Sequence, residues 1–92
     1  MNIVWDEKKN RSNYSKHGIT FEHAAHIFTD PLRKEGYDPE HSGTEEDRYI
    51  AIGMAVARLL FVSFAEPNPE TVRIISARKV NAQERRRYYG NG

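Results

Sequence analysis

The sequence contains no cysteine, so neither a disulfide framework nor a thiolate metal site can form in it. Long apolar runs are also missing, because the longest, at residues 59–65, is interrupted by Ser63 and is far too short to cross a bilayer. The N-terminal stretch MNIVWDEKKN lacks the apolar centre of a secretory signal peptide. These absences and the length of 92 residues predict one cytoplasmic domain, spanning residues 1–92, that makes no contact with a membrane.

Familiar catalytic and metal-binding motifs are missing as well. The sequence has no glycine-rich phosphate loop, no HExxH, no GxSxG and no EF-hand loop. The nearest approach to a metal site is Glu22, His23 and His26 on a predicted helix, and two imidazoles without further ligands bind metal poorly. We therefore interpret these three residues as ordinary helix surface, and we expect a protein with no metal ion and no other cofactor.

The net charge of +1 hides two oppositely charged segments. Residues 30–48 contain seven acids and three bases, a local charge of −4, whereas residues 71–92 contain six bases and one acid, a local charge of +5. Such a separation attracts polyanions to the basic segment and basic partners to the acidic one. An acidic loop and a solvated helix end would give the same pattern, so charge alone leaves both interpretations open.

Local patterns predict seven elements in the order β-α-α-β-β-β-α. Capping residues mark the helices, because they satisfy the free backbone groups at helix ends, and alternating polarity marks the strands. In chain order, the elements are a strand at residues 2–4, a helix capped by Asp6 and ended by Gly18, a helix capped by Thr20 and ended by Asp30, strands at residues 48–54, 58–65 and 71–79, and a helix starting at Asn81. Residues 36–47 are predicted to be a flexible, acidic loop. The order predicts an α+β fold, in which a small antiparallel sheet has its helices packed on one side and its other face free for a ligand or partner.

The last predicted strand, RIISARK at residues 73–79, carries an unusual concentration of cations. Strict alternation places Arg78 on one face of the sheet and Arg73 with Lys79 on the other. An arginine buried in a strand without an anion is costly, so these side chains should lie on an open face or at the strand ends. A phosphate would suit them, because a guanidinium group donates paired hydrogen bonds to its oxygens. Salt bridges to the acidic loop, such as one from Arg78 to Glu46, are the alternative.

Six short stretches of the sequence resemble, in order and spacing, the BrnT toxins of type II toxin-antitoxin systems. These stretches are WDEKK, NYSKHG at residues 13–18, the F-x-x-A pair Phe21 and Ala24, EDRYIAIG, RIISARK and ERRRY, and they extend over residues 5–88. The resemblance implies a RelE-like fold and an endoribonuclease that cleaves RNA to arrest growth. It also implies a cognate antitoxin similar to BrnA, with a ribbon-helix-helix domain, and operator DNA bound only through the complex with that antitoxin.

Metal-independent cleavage of RNA requires a base near the 2′-hydroxyl, an acid for the leaving oxygen, and cations that stabilise the charge on phosphorus. The predicted catalytic residues are His17 and Glu46 for proton transfer, and Arg48, Arg73 and Arg78 for the scissile phosphate. The predicted RNA-binding residues are Lys79, Arg85, Arg86 and Tyr88. These assignments follow from the resemblance together with the chemistry of each side chain.

Several of these roles have a structural alternative. His17 also suits a helix cap, Glu46 a salt bridge to Arg48, and Tyr88 a position in the core. For the whole protein, the alternative is a non-catalytic RNA-binding or protein-docking module. Cleavage of purified RNA by the lone protein discriminates between an enzyme and such a module.

Overall fold

The structure, a computed structural model, describes residues 1–43 and 46–90, and these residues form five strands, three α-helices and one 3-10 helix. In chain order the elements are β1 (Asn2–Trp5), α1 (Glu7–His17), α2 (Phe21–Ala24), the 3-10 helix (Ala25–Thr29), β2 (Lys34–Tyr37), β3 (Arg48–Ala55), β4 (Arg58–Asn68), β5 (Thr71–Lys79) and α3 (Ala82–Tyr89). The mixture confirms the predicted α+β class. Strand β2 is an addition to the predicted order. None of the described helices is long and apolar enough to cross a membrane.

The five strands form one sheet in the order β1-β5-β4-β3-β2. Strands β2 to β5 pair antiparallel, as predicted for the last three strands of the chain. Strand β1, in contrast, pairs parallel with β5, so that Ile3 lies opposite Val72. The prediction of a wholly antiparallel sheet is therefore wrong for this one pair. A tight hairpin joins only antiparallel strands, whereas β1 and β5 are separated by most of the chain and no turn fixes their relative direction.

One face of the sheet, which we call the first face, is covered by α2 and the 3-10 helix and carries the larger apolar core. Leu60, Val62 and Phe64 alternate along β4 and are buried on this face. Phe21 of α2 and Ile27 of the 3-10 helix are fully buried in the same cluster. Burial of these large apolar side chains is the main source of stability for a chain of this length.

Helix α1 is attached to the sheet by asparagine side chains rather than by an apolar stripe. Only Asn10 and Asn13 of this helix are buried. The side-chain amide of Asn13 donates to the carbonyl oxygens of Ile19 and Ala77 and accepts from the Ala77 N–H, at distances of 2.9–3.0 Å. Because β1 ends opposite Ile74, Asn13 provides the hydrogen bonds that a longer β1 would have given to Ala77.

Helix α3 lies on the opposite face of the sheet, which we call the second face. Its buried residue, Tyr88, packs with Ile52 of β3 and Leu59 of β4 in a smaller apolar cluster. These two residues adjoin Ala51 and Leu60, which belong to the first-face core, so their side chains point the other way. The prediction that all helices pack on one side is therefore wrong for α3. The apolar side chains on the second face require their own cover, and Tyr88 provides it.

Tyr88 also ties α3 to the edge of the sheet through a hydrogen bond. Its hydroxyl donates to Oδ2 of Asp30 at 2.5 Å, and the backbone N–H of Met54 donates to the same oxygen at 2.8 Å. The bond to the carboxylate, together with burial of the phenol, raises the pKa of Tyr88 to about 12. The phenol therefore stays protonated, and the bond stays intact, throughout the neutral pH range.

The Tyr88→Phe variant is expected to lower the free energy of unfolding by about 1.5–3 kcal/mol, because the lost bond joins a hydroxyl to a charged carboxylate. Urea unfolding near neutral pH measures this loss, with Tyr89→Phe as the matched control because Tyr89 is 53% exposed. Since the folded-state pKa is raised from 10.0 to about 12, the difference between parent and Tyr88→Phe should disappear as the pH rises through that interval. Equal losses in the two variants would contradict this role for Tyr88.

Candidate active site

A β-bulge in β5 decides which arginines share the second face. Ser76 pairs with Ser63 of β4, but the next residue of β4, Phe64, pairs with Ile74, which leaves one extra residue in β5. Strict alternation predicts Arg73 and Arg78 on opposite faces, and the extra residue makes that prediction wrong. Both arginines lie on the second face.

The strand register confirms this placement. Arg73 pairs with Ala65 and Arg78 pairs with Phe61, two residues that lie four positions apart on β4 and therefore on the same face. Three rows of side chains cross the second face, namely Arg48–Ala65–Arg73, Ile50–Ser63–Ser76 and Ile52–Phe61–Arg78. Arginines thus stand at both ends of a floor of small and apolar side chains.

At one end of this floor, the carboxylate of Glu46 bridges two arginines. Nη2 of Arg73 donates to Oε1, and Nε of Arg48 donates to Oε2 at 3.0 Å. The bond from Arg73, followed by that from Arg48, holds the pKa of Glu46 below its ordinary value. The predicted alternative, a salt bridge between Glu46 and Arg48, is therefore present. A carboxylate with a lowered pKa is a weak base, so the geometry suits Glu46 to positioning the two guanidinium groups rather than to accepting a proton.

At the other end, Arg78 pairs with a carboxylate of α3. Its Nη1 and Nη2 donate to the two carboxylate oxygens of Glu84, each at 2.9 Å, and its guanidinium carbon lies 4.1 Å from the centre of the Phe61 ring. The bond from Arg78 lowers the pKa of Glu84. The expected alternative partner, Glu46, is therefore wrong for Arg78. This pair joins β5 to α3 and fixes the direction in which the guanidinium group points.

An open groove of about 540 Å³ lies between the Arg48–Arg73 pair and Arg78, and we call it the arginine groove. Its lining consists of Gly36, Tyr37, Asp38, Glu40, His41, Arg48, Ile50, Phe61, Ser63, Ile75, Ser76, Arg78 and Arg87. Three arginines from β3, β5 and α3 therefore contribute to one concave surface. In the described part of the chain, no carboxylate forms a salt bridge with Arg87, whose guanidinium group remains available to an anion.

The groove also contains a histidine and aspartate pair that sequence reasoning missed. Nδ1 of His41 lies 2.8 Å from Oδ2 of Asp38, so Asp38 orients the ring and leaves Nε2 directed elsewhere. The side chain of His41 is 64% exposed, whereas that of Asp38 is 18% exposed. Ser42 fastens this loop to β3, because its hydroxyl donates to the Asp38 carbonyl oxygen and accepts from the Arg48 N–H. The sequence signal for this pair is DPEH at residues 38–41, which lies within the predicted acidic loop.

Most of the other predicted site residues lie away from the arginine groove. His17 is exposed at the end of α1 and is not part of the groove lining, and Tyr88 is buried, so its ring is not available to stack on a base. Lys79 and Arg85 line a separate groove on the other side of α3, and Arg86 lies on the outer surface of α3. Of the nine predicted site residues, only Arg48 and Arg78 line the arginine groove, with Glu46 and Arg73 beside it.

Two of the three residues of the rejected metal site, Glu22 and His23, have structural partners. Nε2 of His23 donates to the carbonyl oxygen of Ala55 at 2.9 Å, and Glu22 accepts from the side-chain amide of Asn10 at 2.9 Å. Among the described residues, a group with closely spaced ligand atoms is Asp38, Glu40 and His41, whose donor atoms lie within 4.8 Å of one another. Exposed groups of this kind are common without a metal, and Nδ1 of His41 is already engaged by Asp38.

Comparison with known proteins identifies a family model and a similar solved structure. A family model described as "Ribonuclease toxin, BrnT, of type II toxin-antitoxin system" matches residues 5–84. Among solved structures, the chain is similar to the 1.1 Å crystal structure of the Brucella abortus ribonuclease toxin BrnT, with 27% identity and a TM-score of 0.63. That similarity covers 88% of this chain and 97% of the other. No curated protein matches the chain.

Proposed function

Because this chain belongs to the BrnT family of ribonuclease toxins of type II toxin-antitoxin systems, we propose that it is a metal-independent endoribonuclease that cleaves RNA in the arginine groove. The observation that carries this proposal is the convergence of three arginines and an oriented histidine on one concave surface. The groove supplies two of the three requirements of the reaction, namely cations for the phosphate and a group that accepts a proton.

Arg48, Arg78 and Arg87 hold the scissile phosphate in this mechanism. The carboxylates of Glu46 and Glu84 keep the first two guanidinium groups in fixed directions before the substrate arrives. Preorganised donors stabilise the charge that grows on the phosphate oxygens without having to rearrange during the reaction. Arg87 provides the charge that is not already balanced by a carboxylate of the described residues.

His41 is the proton-transfer group. Its Nε2 accepts the proton of the 2′-hydroxyl, the 2′-oxygen attacks phosphorus, and the bond to the 5′-oxygen breaks, which leaves a 2′,3′-cyclic phosphate. Asp38 stabilises the imidazolium that forms, because its carboxylate faces Nδ1. The leaving 5′-oxygen takes a proton from solvent, which reaches the open groove. His41 thus replaces His17 and Glu46, the two candidates that the sequence suggested.

The type II family implies an antitoxin partner. A ribbon-helix-helix antitoxin similar to BrnA would neutralise the toxin most directly by covering the arginine groove, because the groove displays charges that a complementary protein can pair. Operator DNA is then contacted by the antitoxin part of the complex. The site of action is the cytoplasm, where the RNA substrate is made and translated.

The Arg87→Ala variant is expected to lower the rate of RNA cleavage by about 10–100-fold, because it loses charge-assisted hydrogen bonds to the phosphate. The assay uses purified protein and a labelled RNA oligonucleotide, with and without a chelator that removes divalent cations. Arg11→Ala, which removes an exposed arginine from α1 outside the groove, is the matched control and should cleave at the parent rate.

Four outcomes would contradict the proposal. Cleavage abolished by the chelator would mean that a metal is needed. RNA binding without cleavage would favour a non-catalytic RNA-binding module, and the absence of both would favour a protein-docking module. Full activity of the Arg87→Ala variant would mean that Arg87 does not hold the scissile phosphate.

A further inference from the structure

A second basic groove lies on the other side of α3. It has a volume of about 310 Å³, and its cations are Arg58, Lys79 and Arg85, which come from β4, β5 and α3. No carboxylate lines this groove, and no salt bridge within the described residues involves any of its three cations. Unlike the arginine groove, where acids accompany the arginines, this surface has an uncompensated positive charge.

A tight turn fixes the position of Arg58 at this groove. Residues 56 and 57 join β3 to β4, and Val56 has φ of +59°, a backbone conformation that is unfavourable for a β-branched residue. Ala57 and Arg58 both line the groove. The surrounding hairpin therefore keeps Arg58 beside α3 although the turn itself is strained.

The three consecutive arginines of α3 connect the two grooves. Successive residues of a helix point about 100° apart, so Arg85, Arg86 and Arg87 cover more than half of the circumference of α3. Arg85 lines the second basic groove, Arg87 lines the arginine groove, and Arg86 lies on the outer surface between them. Tyr88 points into the sheet on the remaining side. A continuous path of positive charge thus crosses α3 from one groove to the other.

Tyr89 adds an aromatic ring to the second basic groove. The ring is 53% exposed, and its centre lies 5.1 Å from that of Tyr88, with the two ring planes at 86°. The contact with buried Tyr88 holds the ring of Tyr89 in place and leaves part of its surface open. An exposed aromatic ring beside several cations matches the two parts of a nucleotide, since a base stacks on the ring and a phosphate binds the cations.

We propose that Arg58, Lys79, Arg85 and Tyr89 form a second nucleotide-binding subsite, so that single-stranded RNA crosses α3 and is held on both sides of it. This inference rests on the proposed function, because it assumes that RNA occupies the arginine groove. With this subsite, the protein binds a strand of several nucleotides and not only the phosphodiester that is cleaved. A nucleotide fits both parts of this surface at once, because each nucleotide carries a phosphate for the cations and a planar base for the ring of Tyr89.

Fluorescence anisotropy with an RNA that carries 2′-deoxynucleotides, and so cannot be cleaved, tests the subsite directly. The Tyr89→Ala variant should bind an oligonucleotide long enough to cross α3 about tenfold more weakly than the parent, and should bind a dinucleotide with a much smaller loss. Tyr89→Phe should restore binding, because phenylalanine stacks equally well. Arg58→Ala should reduce the salt dependence of long-RNA affinity by about one counterion, and Arg11→Ala should change neither quantity.

The outcomes separate this inference from the function on which it rests. If the parent cleaves RNA but the variants bind the long oligonucleotide like the parent, the subsite does not exist and the cleavage proposal stands. If the parent binds the long oligonucleotide through Tyr89 but does not cleave RNA, the subsite stands and the nuclease proposal fails. If the variants lose affinity only for an acidic protein partner, the surface is a protein interface and the inference is wrong.

Discussion

Replacing His41 with alanine is expected to lower kcat for RNA cleavage by about 10²–10⁴-fold, the usual contribution of a positioned acid or base. The reason is that His41 is the proton-transfer group that we place in the arginine groove, with Asp38 on its Nδ1. Single-turnover cleavage of a labelled oligonucleotide measures the chemical step without interference from product release. The stability of the variant should match that of the parent, because the side chain is 64% exposed.

The matched control is His17→Ala, which removes the histidine that the sequence had suggested. His17 is exposed and is not part of the groove lining, so this variant should cleave RNA at the parent rate. Asp38→Asn should cause a smaller loss than His41→Ala and should alter the pH profile, because Asp38 acts through the imidazole. Loss of activity in His17→Ala, with full activity in His41→Ala, would overturn the assignment.

The Asn13→Ala variant is expected to lower the free energy of unfolding by about 3 kcal/mol or more. The change removes three hydrogen bonds and leaves a buried N–H and two carbonyl oxygens without partners, each at a cost of about 1–3 kcal/mol. Domains of this size have a total stability of only about 5–15 kcal/mol, so the variant should lose a large share of it. Urea unfolding measures the difference.

Ser12→Ala is the matched control for this prediction, because Ser12 is the exposed neighbour of Asn13 on α1 and forms none of these bonds. It should change stability by less than about 0.5 kcal/mol, as is usual for the surface. A loss below about 1 kcal/mol in Asn13→Ala would show that solvent replaces the hydrogen bonds and that α1 does not depend on Asn13.

The starts of the three α-helices and the end of α1 were predictable from the sequence, because a helix cap depends only on residues within one turn. Oδ1 of Asp6 accepts from the N–H groups of Lys8 and Lys9, and Gly18 ends α1 with φ of +69°. Thr20 caps α2, and Asn81 forms a complete capping box that starts α3. In each of the three N-terminal caps, the side chain and the backbone group that it satisfies are close in sequence. The second predicted helix is only partly α-helical, because α2 ends at Ala24 and a 3-10 helix, Ala25–Thr29, leads to the predicted end at Asp30.

The strand β2 and the bulge in β5 were not predictable, because both depend on residues far away in the chain. The sequence KEGY of β2 has little strand character, and it becomes a strand because Gly36 pairs with Ile50 of β3. The bulge arises from the register between β4 and β5, and the alternation of β5 alone contains no sign of it. Because the sequence does not reveal the bulge, it also does not reveal which face of the sheet Arg73 occupies.

The type of side chain that lines the candidate site was more predictable from the sequence than the individual residues. The concentration of cations around RIISARK predicts an arginine cluster, and one residue of this segment, Arg78, lines the arginine groove together with Arg48 and Arg87. The carboxylate partner of Arg78 was not predictable, because both the acidic loop and α3 contain glutamates and the sequence alone does not show which of them lies near Arg78. Arg78 pairs with Glu84 rather than Glu46, and the histidine in the groove is His41 rather than His17. The pairing of Arg78 depends on the second-face position of α3, and the position of His41 depends on the loop that Ser42 attaches to β3.

The parallel pairing of β1 with β5 has a consequence for how fast the protein folds. Ile3 can pair with Val72 only when the long segment between them has closed into a loop. The chain therefore loses the conformational entropy of this loop before the contact stabilises it. Domains dominated by such distant pairings fold in milliseconds to seconds, far more slowly than helical bundles. During that interval the exposed edge of β5 can join the strand of another chain. Rapid dilution should therefore favour the yield of refolded monomer.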